Sequence, residues 1–389
     1  MRNKEANISE AQQAGTGAGV AYQCPQCKGG IEKGKDCWHC RLCGKVFEVR
    51  RGVPILDIGN ELAHSSIGAS ERDAGHQPIY KVSPYSGSMG IDSSDDFLDA
   101  VEQKGWRTAI EKLWGPNSAG LLRAIASNRV AWKYLLDIDS SWKVLDIGAG
   151  TGGVACRLAK ECSVVALDKS WRNAAFMQLR AQQDSLFRFE AIAADGVFLP
   201  FESNQFNLTT MIGSLEWVPT SLPENKPREV QLQALREAYR VLKPGGNLFL
   251  GIENRLYLGY FLGIIEPHTN LKYISLMNRK DAEILSQDLR GRPYLELTHS
   301  KDEYIELLKE AGFEDIQAFW LHPDYSTPNY IIPLDRPNSV KFFIEERLNP
   351  WDFHGIRSPL YQFYRLLDPL VVSKHVEFYG FLAHRPNKE

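Results

Sequence analysis

The chain has 389 residues, 43% of them hydrophobic, which is enough for one large catalytic domain with accessory segments. Its formal charge is −3 and it has no long basic run, which disfavours a protein that binds mainly to nucleic-acid phosphates. No run of eighteen apolar residues occurs, so no transmembrane helix is expected. The polar residues 1–20 lack the apolar centre of a signal peptide and predict a flexible tail. We therefore expect a cytoplasmic protein.

Residues 21–58 have the cysteine spacing of a zinc ribbon. The pairs Cys24-Pro-Gln-Cys27 and Cys40-Arg-Leu-Cys43 are separated by twelve residues, and four thiolates suit one tetrahedral, structural Zn²⁺. Cys37 also forms a CxxC pair with Cys40, so Cys37 or His39 could replace one ligand. Basic residues cluster near the ribbon, although such charges more often form a solvated face.

Two stretches separate the ribbon from the first predicted core strand. Residues 59–94 are rich in Ser, Gly and His and are expected to be a linker or mobile cover. In residues 95–140, apolar side chains recur near helical spacing and predict helices ahead of the core. These helices could cover a ligand, but simple packing explains their apolar stripes equally well.

The segment Val144–Gly153, reading VLDIGAGTGG, predicts a buried strand that turns into a helix through a glycine loop. Gly148, Gly150 and Gly152 lack Cβ atoms, so the loop can turn tightly and bring its backbone close to a ligand. Gly148, Gly150 and Gly153 also match the GxGxxG spacing of dinucleotide-binding proteins, and a glycine turn without a ligand is a further alternative.

The following segments repeat the alternation of strands and helices. Val164–Asp168 predicts a strand ending in an acid that could take both hydroxyls of a ribose. A third apolar segment ends at Ala194-Asp195-Gly196, and Phe206–Ile212 predicts a fourth strand. A helix over Pro227–Leu242 then leads through Lys243-Pro244-Gly245-Gly246 into a fifth strand.

This ordered series, over about 121–319, resembles the class I S-adenosylmethionine-dependent methyltransferases. The resemblance implies an α/β fold with a Rossmann-like, seven-stranded sheet, the last strand antiparallel, and helices on both faces. It assigns the cofactor's methionine part, ribose and adenine to residues of the core at 141–255. The implied cofactor-binding set is Asp146, Gly148, Gly150, Asp168, Asp195, Gly196 and Ser214.

Structural roles remain open for two members of that set, since Asp146 could cap the following turn and Asp195 could belong to an ordinary Asp-Gly turn. A nicotinamide enzyme is the competing interpretation of the fold. Such an enzyme does not require Asp195-Gly196 or the Lys-Pro-Gly-Gly turn, so these two motifs favour the methyltransferase.

An insertion at 256–300 follows the fifth strand. The stretch Gly251–Asn270 resembles bacterial methyltransferases of surface-polysaccharide and specialised-metabolite pathways, with Glu-Asn-Arg, aromatic residues and a Pro-x-His-Thr-like element. The match is partial, because here Pro267 directly precedes His268. A histidine that titrates near neutrality can remove a hydroxyl proton, so His268 is the candidate general base. A loop histidine with structural hydrogen bonds is the alternative.

Other candidate residues accompany this histidine. Glu216, just past the fourth strand, and His299 are weaker catalytic candidates, and Glu216 could instead brace its loop. The predicted substrate-binding residues are Glu253, Asn254, Arg255 and Tyr325.

The C-terminal part predicts a continuation of the core at 301–334, an aromatic insertion at 335–375 and the last core strand at 376–389. The helix is expected at Lys301–Ala311 and the sixth strand at Phe313–Leu321. The aromatic residues could build an apolar acceptor pocket, pack as an accessory core, or face a membrane.

Three function classes follow from these observations. The leading prediction is methyl transfer to a small-molecule or sugar hydroxyl. The ribbon resembles those ahead of various bacterial methyltransferases, including ribosomal-RNA guanine methyltransferases, so an RNA methyltransferase is the second class. A cofactor-binding scaffold protein is the third.

Overall fold

The computed structural model describes residues 19–57, 95–115, 121, 124–348 and 357–387. The predicted linker at 59–94 lies outside the described residues, as do nearly all of the predicted tail and residues 349–356 of the aromatic insertion. The chain divides into two compact units. The first contains the described residues up to Thr209 together with Val241–Lys243, and the second contains the rest.

The N-terminal strands of the first unit form a small antiparallel sheet in the order β1-β2-β3-β4. Its strands are β1 (Ile31–Lys33), β2 (Cys37–Cys40), β3 (Val46–Arg50) and β4 (Val53–Pro54). Trp38 and Phe47 are buried, and the ring of Tyr22 packs edge-on against Trp38 with centroids 4.9 Å apart. The main chain of Leu56 donates to the carbonyl of Ala193 at 2.7 Å, which anchors the ribbon within its unit.

Helices precede the first core strand, as the sequence predicts. They are α1 (Asp95–Lys104), α2 (Trp106–Trp114) and a 3₁₀ helix (Ser127–Leu135). The indole nitrogen of Trp106 donates to Asp184 at 2.9 Å, and the guanidinium of Arg180 lies 4.2 Å from its ring. This contact fastens α2 to the core of the first unit.

Parallel strands and short helices alternate in the rest of the first unit. They are β5 (Lys143–Ile147), α3 (Ala155–Leu158), β6 (Ser163–Asp168), α4 (Trp171–Gln183), β7 (Phe189–Ala193) and β8 (Phe206–Ile212), the last three residues of β8 belonging to the second unit. Strand β6 pairs in parallel with both β5 and β7. These strands are almost wholly buried, which explains their continuous Val, Leu, Ile and Ala sequence.

The second unit begins, after β8, with a 3₁₀ helix at Leu215–Ser221. The elements up to the sixth strand are α5 (Pro227–Val241), β9 (Leu242–Glu253), α6 (Leu258–Phe261), α7 (Arg279–Arg290), α8 (Lys301–Glu310) and β10 (Glu314–His322). The last residue of α5 and the first two residues of β9 belong to the first unit. The C-terminal elements are β11 (Tyr330–Pro333), α9 (Pro337–Phe342), α10 (Arg357–Tyr364), α11 (Pro369–His375) and β12 (Phe378–His384). Ser300 and Glu303 form a capping box that starts α8.

The larger sheet is mixed and has the strand order β11-β10-β12-β9-β8-β5-β6-β7. The predicted last strand, β12, is antiparallel to both β9 and β10. The sheet has eight strands rather than the predicted seven, because the chain after β10 folds back and adds β11 antiparallel to it, pairing His322 with Tyr330. Ile331 and Ile332 are β-branched and favour this additional edge strand.

The described aromatic residues of the C-terminal region pack mainly on one another. Trp320 on β10 lies edge-on to Phe343 and Tyr364, with ring centroids 5.0 and 5.8 Å apart, and all three side chains are buried. Core packing therefore accounts for these members of the aromatic set. Among the described helices, none has the length and apolar composition needed to cross a bilayer.

Candidate functional site

The glycine loop follows β5 directly. Gly148, Gly150 and Gly152 all have positive φ angles, of 76°, 57° and 73°, which is the left-handed region that favours glycine. A Cβ added at Gly150 would meet no atom within 4 Å, whereas one at Gly152 would lie 2.9 Å from the sulfur of Cys156. The loop therefore faces open space at Gly150 and uses Gly152 for close packing.

Asp168 lies at the end of β6 and holds this loop. Its carboxylate accepts hydrogen bonds from the main chain of Gly150 at 2.8 Å and of Ser170 at 2.9 Å, and from the side chain of Asn173 at 3.1 Å. Burial raises the pKa of Asp168, although these hydrogen bonds oppose the shift. The structure thus brings Asp168 to the glycine loop, and its binding of a ribose stays a prediction.

The other predicted cofactor residues of the first unit lie at the ends of neighbouring strands. Asp146 is buried near the end of β5. Asp195 follows β7, accepts a bond from the main chain of Val197 at 2.9 Å and lies 3.3 Å from the ammonium of Lys169. A Cβ at Gly196 would lie 3.0 Å from Ile147. The Asp-Gly pair therefore also forms a braced turn. Ser214 belongs to the second unit, directly before the 3₁₀ helix.

The second unit brings together a cluster of buried ionisable side chains, hereafter the carboxylate–histidine cluster: Glu216, Glu253, Glu266 and His268. The Nε2 atom of His268 lies 3.7 Å from a carboxylate oxygen of Glu216 and 3.7 Å from one of Glu253. Its Nδ1 atom lies 2.5 Å from Glu266. The ring of Trp217 packs edge-on against the imidazole at 5.2 Å.

The charges in this cluster shift the pKa values of its members. Burial opposes protonation of His268, but Glu266, Glu253 and Glu216 outweigh it and raise the pKa of His268 well above its ordinary value. Burial, helped by Glu216 and opposed by His268, raises the pKa of Glu253 to about 7. Burial likewise acts to raise the pKa of Glu266, but His268 and Thr269 outweigh it and lower that pKa. A protonated imidazole has no lone pair to accept a proton, so the cluster by itself disfavours the general-base role predicted for His268.

Tyr325 reaches this cluster from the loop after β10. Its hydroxyl donates to Glu253 at 2.9 Å, and its ring packs edge-on against Phe378. A Cβ at Gly213 would lie 2.7 Å from the tyrosine oxygen, so only glycine leaves room for this approach. Tyr325 and Glu253, both predicted to bind substrate, are therefore in contact with each other.

Asn254 and Arg255 have mainly structural partners in the described chain. The side-chain amide of Asn254 donates to the carbonyls of Lys374 and Val376, at 3.0 and 2.7 Å. Arg255 forms an ion pair with Glu303 at 3.3 Å. Since Asn254 is fully buried and its side chain already ties β9 to α11, the contact with substrate predicted for it is disfavoured.

His299 lies outside the carboxylate–histidine cluster. Its Nε2 atom is 2.8 Å from the side-chain oxygen of Gln231, whose amide nitrogen donates to the carbonyls of Leu215 and Leu297. Burial lowers the pKa of His299 to about 4. The residue is therefore neutral at physiological pH and acts as a donor that holds Gln231, which disfavours the catalytic role predicted for it.

The four predicted metal-binding cysteines converge in the ribbon. The sulfur atoms of Cys24, Cys27, Cys40 and Cys43 all lie within 4.8 Å of one another. Main-chain N–H groups of residues 42 and 43 point at the sulfur of Cys40, each at 3.4 Å. The remaining candidates, Cys37 and His39, lie 3.0 Å from each other and outside this group. The donor set suits a tetrahedral thiolate site for one zinc ion.

Comparison with known proteins decides the family. A model of the methyltransferase domain matches residues 145–250. The ubiquinone/menaquinone biosynthesis C-methyltransferase UbiE of Bartonella tribocorum is 36% identical over 212 residues, covering 51% of this chain and 74% of that protein. The chain belongs to the S-adenosylmethionine-dependent methyltransferases. The 27-O-demethylrifamycin SV methyltransferase of Amycolatopsis mediterranei is 28% identical over 229 residues, covering 58% of this chain and 73% of that protein.

A more distant likeness links this methyltransferase to a solved structure. Phosphoethanolamine N-methyltransferase 2 of Haemonchus contortus, in complex with phosphomonomethylethanolamine and S-adenosylhomocysteine, aligns with a TM-score of 0.42 and 17% identity. The alignment covers 75% of this chain and 60% of that one. The likeness is too remote to indicate an acceptor.

The sequence analysis did not single out one member of the methyltransferase's carboxylate–histidine cluster, Glu266, or the neighbouring Trp217. Glu266 stands two positions before His268, and the Glu-Pro-His-Thr string itself was the available signal. Trp217 follows Glu216 directly, but nothing in the sequence indicated that its ring would meet the imidazole. Glu266 comes from a loop and Trp217 from a short 3₁₀ helix, where hydrophobic periodicity gives no information on side-chain position.

Proposed function

We propose that this methyltransferase acts on a small-molecule or glycan acceptor and methylates a hydroxyl oxygen. The observation that carries the proposal is the carboxylate–histidine cluster. Glu253 ends β9 and Glu216 lies four residues beyond the end of β8. In α/β folds, ligands bind outside the carboxyl ends of the parallel strands. Buried polar groups at such a position favour a small, enclosed acceptor.

The residues of the first unit fit S-adenosylmethionine. The open space at Gly150 leaves room for a ligand against the loop backbone, and the Asp168 carboxylate can accept hydrogen bonds from ribose hydroxyls. Asp146, Gly148, Asp195, Gly196 and Ser214 complete the proposed cofactor set. When bound, the cofactor supplies a methyl group made electrophilic by its sulfonium.

The residues of the second unit would orient the acceptor. Methyl transfer to oxygen depends chiefly on alignment of the nucleophile, and the hydroxyl must also lose its proton. Neither oxygen of Glu216 and only one oxygen of Glu253 has a hydrogen-bond partner, so these carboxylates have free capacity for a ligand. Tyr325 fixes the remaining oxygen of Glu253.

The names of the relatives support transfer to a small organic acceptor. One is a C-methyltransferase of quinone biosynthesis and another methylates an oxygen of a rifamycin. We favour oxygen because the cluster offers carboxylates at the acceptor, where charged groups can assist the loss of a hydroxyl proton.

The ribbon at residues 21–58 is proposed to hold one structural Zn²⁺ through its four converged cysteines. At least four of its seven basic side chains have acidic partners: Lys33 lies 3.6 Å from Glu190, and Arg51 lies 2.6 Å from Asp99. Arg41 and Arg50 are also ion-paired within the ribbon. Paired charges have less to offer to phosphates, which supports a structural rather than an RNA-binding role.

Incubation with methyl-labelled S-adenosylmethionine and fractionated extract tests this function. We expect label in a glycan or small-metabolite fraction, lost with D168N and E253Q and retained with E310Q, which alters an exposed ion pair. Label that enters RNA, or a product that carries the labelled methyl group on nitrogen or carbon, would contradict the proposed acceptor.

A further inference from the structure

The carboxylate–histidine cluster has the composition of a metal site. We propose that Glu216, Glu253 and His268 bind one divalent transition-metal ion, with Glu266 as the residue that positions the histidine. The binding of the ion stands on the geometry of the second unit alone. Its use in methyl transfer depends on the proposed function.

The three ligand atoms already face one another. One oxygen each from Glu216 and Glu253 lies 3.7 Å from Nε2 of His268, and all three atoms lie within 4.8 Å of one another. Ligand atoms about 2.1 Å from a common ion are roughly 3.0–3.5 Å apart in neighbouring octahedral or tetrahedral positions. To reach these values, each histidine–carboxylate distance has to shorten by about 0.2–0.7 Å, and the carboxylate–carboxylate distance by no more than about 1.8 Å.

Glu266 supplies the support that a metal-binding histidine requires. One of its oxygens meets Nδ1 of His268 at 2.5 Å, while the other accepts bonds from the main chain and hydroxyl of Thr269 at 2.8 and 2.7 Å. This arrangement fixes a proton on Nδ1 and directs Nε2 toward the other two carboxylates. In many metal sites, a histidine that binds the metal through one ring nitrogen donates the other ring N–H to a carboxylate in the same way.

The hydrogen-bonding capacity left on the carboxylates is a second observation in favour of a cation site. The side chain of Glu216 is 1% exposed, and neither of its oxygens has a hydrogen-bond partner. The second oxygen of Glu253 also has none. A buried carboxylate oxygen without a hydrogen-bond partner is costly, and beyond the imidazole at 3.7 Å a bound cation would offset that cost.

The formal charges favour a divalent cation over a monovalent one. A histidine that binds an ion through Nε2 is neutral, and the three carboxylates beside it carry up to three negative charges, so a divalent ion offsets more of this charge. Within the described part of the chain, no lysine or arginine lies within ion-pair distance of Glu216, Glu253 or Glu266. A bound ion would replace the proton on Nε2 and accept charge from both free carboxylates.

The donor types narrow the choice of ion. One imidazole with two carboxylates and no thiolate suits Mn²⁺, Fe²⁺, Co²⁺ or Zn²⁺ better than Ca²⁺. Three protein ligands leave coordination positions for acceptor oxygens. The ion would lower the pKa of the acceptor hydroxyl, whose proton passes to water. The oxygen then forms its bond to the methyl carbon as the carbon–sulfur bond breaks, and the sulfonium becomes a neutral thioether.

Titration of the full-length, chelator-treated protein with Mn²⁺ tests the site without any catalytic readout. The electron paramagnetic resonance signal of free Mn²⁺ measures the bound fraction, and calorimetry gives the affinity; manganese is chosen because it competes poorly for the cysteine site. We expect one Mn²⁺ per chain. E216Q and E253Q should each weaken binding at least tenfold, and E266Q by about 10- to 100-fold, since it removes the support of the histidine. E310Q, a carboxylate variant outside the cluster, should bind as the wild type does.

The outcomes separate the ion from the proposed function. If the wild type binds no Mn²⁺, or if all three cluster variants bind it as tightly as the wild type and E310Q do, the metal site is overturned. If a variant fails to fold by circular dichroism, the other two cluster variants decide the matter. Ion binding without methylation of any hydroxyl acceptor retains the site and refutes the function. Hydroxyl methylation that survives full chelation retains the function and refutes the ion's part in it.

Discussion

The buried His299 should remain uncharged well below the pH at which histidines ordinarily gain a proton. Its Nε2–H donates to Gln231, whose amide nitrogen is committed to two carbonyls, so the neutral tautomer is fixed by the network. Burial is the largest cause of its lowered pKa; Arg228 and Arg255 add to it, and Glu303 opposes it. Protonation of His299 would place an uncompensated charge beside this network.

The expected effect on stability can be worked out from the shift. Below pH 6.5 the unfolded chain takes up a proton that folded His299 does not, so stability falls as the pH falls, and levels off near the folded pKa of about 4. Between pH 7.5 and 4.5 this loss amounts to about 2.5 kcal/mol of unfolding free energy. The side chain is 6% exposed, so solvent screening does not reduce the figure appreciably.

Two measurements check this reasoning. In H299Q the amide nitrogen can still donate to Gln231 but does not titrate. The free energy of unfolding, measured with urea, should therefore fall between pH 7.5 and 4.5 by about 2.5 kcal/mol less in H299Q than in the wild type. In ¹H–¹³C spectra, the His299 ring signals, assigned by their loss in H299Q, should not shift between pH 8 and 5.5. A midpoint near 6.5, or equal pH dependence of the two proteins, would refute the argument.

Three further outcomes are expected. D168N should weaken S-adenosylmethionine binding by about 10- to 100-fold in calorimetry, because charge-assisted bonds to the ribose contribute roughly 1.5–3 kcal/mol; an unchanged affinity would remove Asp168 from the site. C27S should lose the one zinc per chain measured by mass spectrometry and lower the melting temperature, while C37S should keep both; zinc loss in C37S alone would reassign the ligands. Y325F should reduce turnover several-fold with little effect on cofactor affinity, since its hydroxyl holds Glu253 at 2.9 Å; equal turnover would assign Tyr325 a packing role only.

The strands and glycine loop of the first unit could be predicted because they depend on local signals. Continuous apolar strands, glycines at positive φ and an acid at a strand end all leave marks in the sequence, and Gly150 with Asp168 confirms that the loop and the acid meet. The convergence of the four ribbon cysteines could likewise be predicted, from the spacing of the two CxxC pairs. By contrast, β11 arises from a hairpin whose pairing with β10 has no periodic signal of its own.

The charge state of His268 could not be predicted from sequence. A histidine's pKa depends on its neighbours, and Glu216, Glu253 and Glu266 come from three separate stretches of the chain. The sequence identified three of these four residues as functional candidates. It could not show that their combined field favours imidazolium, because that field exists only after the loops have folded.

Gln231 has a consequence for engineering of the acceptor side. From the middle of α5, its side chain binds Leu215 ahead of Glu216, Leu297 at the end of the insertion, and His299. Segments far apart in sequence therefore share one amide. A chimera that exchanges the insertion at 256–300 between relatives should carry the matching α5 residue with it. Without a glutamine at that position, the two carbonyls and the imidazole would lose their hydrogen-bond partner.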